Sequence, residues 1–149
     1  LFNGCSSITS LDVTRWNTSD MTNIGFMFVD CTNLSELDPS GWDVSSVTNM
    51  NSIFKNLKNI DFSLADWDLS SATNIKFIFR NQTGAGTTGI STANYDDTLI
   101  GWAANPNTPD SLTTDFGGST YTGTLGTLAS SSRATLIQKG WTITDGGTA

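Results

Sequence analysis

The sequence has no histidine. That removes the Ser-His and Cys-His pairs on which much nucleophilic catalysis rests. Basic residues are scarce: seven Lys and Arg stand against fourteen Asp and Glu, for a net charge of −7. Nucleic acid and anionic membranes both need clustered positive charge, so neither is expected as a partner. No apolar run approaches the roughly 18 residues of a membrane-spanning helix, so direct membrane insertion is not expected. Phosphate loops of the Gly-Lys-Ser/Thr kind are absent, as is Gly-x-Gly-x-x-Gly after a strand. Cysteine occurs only at Cys5 and Cys31, which without histidine make a poor metal site. No enzyme is expected on these grounds.

What the sequence does have is a period. Phe2, Phe28, Phe54 and Phe79 are spaced 26, 26 and 25 residues apart. Trp16, Trp42 and Trp67 are spaced 26 and 25, as are the pairs Thr22-Asn23, Thr48-Asn49 and Thr73-Asn74. A fixed period of about 20–50 residues marks a stacked repeat array. The expected fold class is therefore an α/β solenoid over 1–81, about three repeats, followed by a boundary loop at 82–90 and a C-terminal α/β capping segment over 91–149. The chain opens inside a repeat, as an N-terminally truncated piece of a longer array would.

Each repeat reads as a short strand, a turn and a short helix. The strands are expected at 11–14, 37–40 and 62–65, where Leu11 and Val13 alternate with Asp12 and Thr14. Pro39 suits a strand start or an exposed edge. The helices are expected after Thr18-Ser19, Ser45-Ser46 and Ser70-Ser71, whose serines can cap a first turn. Met21, Ile24, Met27 and Phe28, and their equivalents in the next two repeats, then fall at helical spacing. The third repeat is one residue short, and the gap is placed before Phe62. The tail predicts helices over 91–104 and 130–138, strands over 112–116 and 141–144, and a turn over 105–110.

The Trp and Asn columns read first as stacked core and as satisfied turns, ahead of sugar binding. Cys5 and Cys31 share one repeat position. They read as a buried apolar column, or as a disulfide between neighbouring coils about 4.8 Å apart. Calcium candidates are Asp43, Asp68 and Asp145, though no EF-hand spacing supports them. Asp96-Asp97 reads as a solvated helix start. The candidate binding residues are the polar positions between strand and Trp: Thr14, Arg15, Ser40, Gly41 and Asp66.

The repeat residues Met27-Phe28, Cys31, Leu34, Leu37-Asp38, Trp42-Asp43, Ser45 and Val47-Thr48-Asn49-Met50 carry a resemblance. The chain resembles the BspA-like family of bacterial surface proteins, with their leucine-rich-type repeats. The tail resembles the family's closing segment at Tyr95-Asp96, Leu99-Ile100-Gly101-Trp102, Arg133-Ala134, Leu136-Ile137 and 140–147. The third repeat departs from the pattern, with Leu57 for the cysteine and Ser63 for the aspartate. The resemblance implies leucine-rich-repeat-like coils, secretion and cell-surface display. It also implies adhesin-like binding to a surface protein or glycan of a host or neighbouring cell, and no catalytic residues. The alternative is a structural spacer or end cap of a larger surface or fibre assembly, a viral tail included, with self-association through the open solenoid end.

Overall fold

The computed structural model describes residues 1–80 and 89–149. The boundary loop expected over 82–90 lies outside the described residues except for Gly89 and Ile90. Residues 1–80 contain no helix and no multi-residue strand. Each repeat is instead a run of β-turns. In the first, the amides of Trp16, Met21, Cys31 and Leu34 donate to the carbonyls of Val13, Thr18, Phe28 and Cys31. In the second, Trp42, Val47, Ile53 and Leu57 donate to Pro39, Val44, Met50 and Phe54.

The helix expected in each repeat is therefore corrected. The serine pairs lie within β-turns rather than at helix caps, and the apolar residues point inward at turn corners. Left-handed backbone excludes a helix there. Phe26, Ser52 and Phe77 form one column of positive φ, at 58°, 57° and 59°. Gly4, Asp30 and Asn56 form another, at 75°, 61° and 65°. In the turns 2–5, 28–31, 50–53 and 54–57 the positive φ falls on the third residue, as in a type II turn. Asp, Asn and Gly tolerate this conformation, whereas Phe pays for it. The expected strands at 11–14, 37–40 and 62–65 do not form either. Their nearest equivalent is a single parallel bridge between Ser10 and Glu36.

Successive repeats stack in parallel. The amides of Ile24, Phe26, Phe28 and Asp30 donate to the carbonyls of Asn49, Asn51, Ile53 and Lys55 at 2.8–3.1 Å. Met50, Ser52, Phe54 and Asn56 do the same to Asn74, Lys76, Ile78 and Arg80. The Phe column runs through the stack with ring centroids of Phe2, Phe28, Phe54 and Phe79 at 5.7, 6.2 and 5.2 Å. Each Asn of the Asn23, Asn49, Asn74 column accepts the amide two residues on, and Asn49 also donates to Asn23 across the stack at 3.1 Å. The one-residue gap falls between Ile60 and Phe62, because Ile8, Leu34 and Ile60 keep the 26-residue spacing and Leu37 to Phe62 does not.

The C-terminal unit consists of α1 (Thr92–Ala104), β1 (Thr113–Asp115), α2 (Leu128–Gln138) and β2 (Thr142–Thr144). Tyr95, Thr98, Leu99 and Trp102 are buried at i, i+3, i+4 and i+7, the stripe that folds α1 onto a core. Ser91 caps its start, and Pro106 holds Asn105 extended at its end. α2 starts at Thr127 and stops at Gly140 (φ 85°). There Trp141 donates to Leu136 and Gly140 to Ile137, a Schellman closure. β1 and β2 pair in parallel, and Ile75 bridges Thr114. Phe79 donates to Asp115 at 3.0 Å, so β1 takes the place of a further repeat. Phe116 extends the Phe column, 5.6 Å from Phe79, and Tyr95 and Trp102 close around it.

Candidate binding face

The turn before each Trp builds one exposed edge of the stack. Asp12 accepts the Thr14 amide at 3.0 Å and its hydroxyl at 2.6 Å. Asp38 accepts the Ser40 amide at 3.0 Å, and Ser63 accepts the Ala65 amide at 3.1 Å. The turn then closes when Trp16, Trp42 and Trp67 donate to Val13, Pro39 and Leu64 at 3.1, 3.0 and 3.1 Å. Pro39 loses nothing there by having no N–H, because its carbonyl is what the turn needs.

The central pairs of these turns are 14–15, 40–41 and 65–66. All five candidate binding residues thus occupy equivalent positions. Thr14, Arg15, Gly41 and Asp66 are exposed, and Ser40 is half-buried. Ala65 is the sixth residue of the edge, and it is covered from above by α1. A Cβ on Gly101 would lie 2.3 Å from the Ala65 carbonyl oxygen, so helix and turn meet backbone to backbone.

A groove of about 460 Å³ adjoins the first two turns, lined by 10–14 and 35–38. Its floor is Leu11, Val13 and Leu37, and its rim carries Asp12, Glu36 and Asp38. The hydroxyl and amide of Thr14 hold the Asp12 carboxyl below the ordinary carboxylate range, so it stays charged. The edge can therefore offer carboxyl groups, hydroxyls and one guanidinium on a fixed backbone. Of the groove only Thr14 was legible as a site residue. The signal for the rest is the Asp-x-Thr/Ser spacing at Asp12 and Asp38, which marks a side chain folded back on its own turn.

The Trp column belongs to the core: Trp42 and Trp67 are buried and Trp16 is half-buried. The indole N–H of Trp42 donates to Val13 and that of Trp67 to Pro39, each one repeat back. Trp102 of α1 donates to Leu64 in the same way, at 2.8 Å, and so takes the next place in that column.

The calcium candidates are dispersed. Asp43 and Asp68 each fold back on the amide two residues on, Ser45 and Ser70, at 3.0 Å. The Ser45 hydroxyl and amide keep Asp43 below the ordinary range. Asp145 lies in the C-terminal unit. Its oxygens accept from Arg133 at 2.8 and 3.3 Å, from the Tyr95 hydroxyl at 2.7 Å and from the Gly147 amide at 3.2 Å. A guanidinium thus already neutralises it. Burial, and then the neighbouring Asp145, push the Tyr95 hydroxyl well above its ordinary pKa. Among the described residues no three Cys, Asp or Glu converge as a metal set would. Asp96 is bound to the amide and hydroxyl of Thr122, while Asp97 is exposed.

A stack of turn-built repeats with a covering unit defines the class of chain, and comparison with known families places it further. The chain belongs to the family described as Mycoplasma protein of unknown function, DUF285, which matches residues 1–94. The match spans the repeats and ends in α1. No curated protein and no solved structure matches the chain.

Proposed function

We propose that this chain is a binding module of a BspA-like surface protein, a solenoid of turn-built repeats displayed outside the cell. It recognises a protein or glycan through the edge formed by Thr14, Arg15, Ser40, Gly41 and Asp66. The observation that carries this reading is the edge itself. It presents equivalent exposed turn pairs, closed by side-chain and backbone hydrogen bonds, on a frame whose inward positions are buried. Repetitive rigid faces of this kind suit contact with extended partners. The family match over 1–94 is loosely in keeping with a BspA-like surface protein.

The test is an array of glycans and cell-surface proteins probed with the whole chain, with and without chelator. Specific binding lost on Arg15→Glu together with Asp66→Lys supports the edge. Binding that survives both changes removes the edge as the site, and an array without any specific binding removes the proposal. Chelator sensitivity would bring calcium back at Asp43 and Asp68.

A spacer that stacks on further copies is the second reading. It is favoured by the regularity of the stack, whose backbone ladder and Phe column repeat from layer to layer. A chain that sediments as a monomer at high concentration removes it.

A further inference from the structure

Cys5 and Cys31 stand in one column on adjacent layers. The amide of Phe2 donates to Met27 and that of Gly4 to Val29, both at 2.8 Å, which puts residue 5 in register with residue 31. The rings of Phe2 and Phe28 confirm the register, stacked at 5.7 Å. The Cys31 thiol donates to the Phe2 carbonyl at 2.9 Å, and the Cys5 amide donates to the same oxygen at 3.0 Å. In-register stacked backbones lie about 4.8 Å apart, inside the Cα separation of about 4.4–6.8 Å that a disulfide spans. The third layer has Leu57 at this position, buried, so the column holds this one pair of thiols. Both cysteines are free.

We propose that Cys5 and Cys31 are an oxidation site, closed to an intramolecular disulfide by exchange with a small-molecule disulfide, and that the bond staples the first two layers. The steps balance. The Cys5 thiolate attacks one sulfur of the external disulfide, forms a mixed disulfide and releases one thiol. The Cys31 sulfur then gives up its proton, attacks the Cys5 sulfur and releases the second thiol. Two electrons and two protons pass from the protein to the reagent. The order follows from exposure: Cys5 is half-exposed and Cys31 buried. Burial also pushes the Cys31 thiol above its ordinary pKa, so it resolves rather than initiates. The inference stands apart from the binding edge, because neither cysteine belongs to it.

The experiment incubates the reduced chain with oxidised glutathione. Thiol titration should fall from two to none, and the intact mass should drop by two hydrogens. The melting temperature should rise by roughly 5–10 °C and return on reduction, because the bond closes a loop of about 26 residues. Cys5→Ser should abolish the mass loss. Two thiols still titrating in the folded chain would overturn the inference. A stable glutathione adduct, or a disulfide-linked dimer without the internal bond, would overturn it as well.

Discussion

At the scale of single residues, backbone contact and buried charge dominate. Gly101 has no room for a side chain, because Ala65 lies where its Cβ would be. Gly101→Ala would raise helix propensity on an isolated helix. Here it must push α1 off the third layer, and a loss of about 1–3 kcal/mol in urea unfolding is expected. Asp145 is the other sensitive position. Its side chain is 4% exposed and paired with Arg133, and Tyr95 donates to it. Asp145→Ala leaves a partly buried guanidinium without its anion and the buried Tyr95 hydroxyl without its acceptor, which costs about 1–3 kcal/mol. Asp61 acts at the start of α1. Burial raises its pKa, but hydrogen bonds from Asn94 and Ser91 outweigh that and leave it lowered. A lowered folded pKa gives stability that is present above the unfolded value and lost as pH falls through the folded one. Asp61→Asn should therefore flatten the acid limb of the stability profile, which a denaturation series down through the carboxylate range measures. None of these roles was legible in the sequence, because each depends on a partner twelve to fifty residues away or on a close backbone approach.

At the scale of elements, periodicity gave the right inward residues and the wrong backbone. Met21, Ile24, Met27 and Phe28 recur every three residues or so because each consecutive β-turn returns a residue to the core. A helix of 3.6 residues per turn leaves almost the same trace. The discriminating sign was at the outward positions. Asp30 and Asn56 are residues that accept left-handed backbone, and Gly4 heads their column. Phe26 provides the test. It is 46% exposed and has φ 58°, which an L side chain adopts only at a cost. Phe26→Gly should be more stable than Phe26→Ala by about 1 kcal/mol, since glycine takes that conformation freely. A helix at this position would give the reverse order by about the same amount, so chemical denaturation of the pair decides between them. The helices of the C-terminal unit were legible because their caps and stops are local: Ser91 and Pro106 for α1, Gly140 for α2.

At the scale of the whole chain, the question is whether repeats and C-terminal unit fold as one body. Three continuities join them. The backbone ladder passes from Phe79 to Asp115, the Phe column passes from Phe79 to Phe116, and the indole column passes from Trp67 to Trp102. The unit thus presents to the third layer the same groups that the third layer presents to the second. The one-residue shortening before Phe62 fits this, since Asp61 beside the gap receives Ser91 and Asn94 at the start of α1. Repeat stacks draw stability from neighbour interfaces, so an interface that copies the internal ones should transmit unfolding rather than insulate against it. Trp102 sits at that seam, 1% exposed, donating to Leu64 and packed on Phe116 and Trp141. Urea unfolding of the parent chain should show one transition, with tryptophan fluorescence and far-UV dichroism coincident. Trp102→Ala should lower stability by about 3–5 kcal/mol. Trp102→Phe keeps most of the volume and loses one of the two donors to the Leu64 carbonyl, which retains the Trp67 amide, so it should cost less, about 0.5–1.5 kcal/mol. A variant in which α1 and α2 melt first while the repeats stay folded would show that the seam is a weak junction, and that the repeats hold their stack without it.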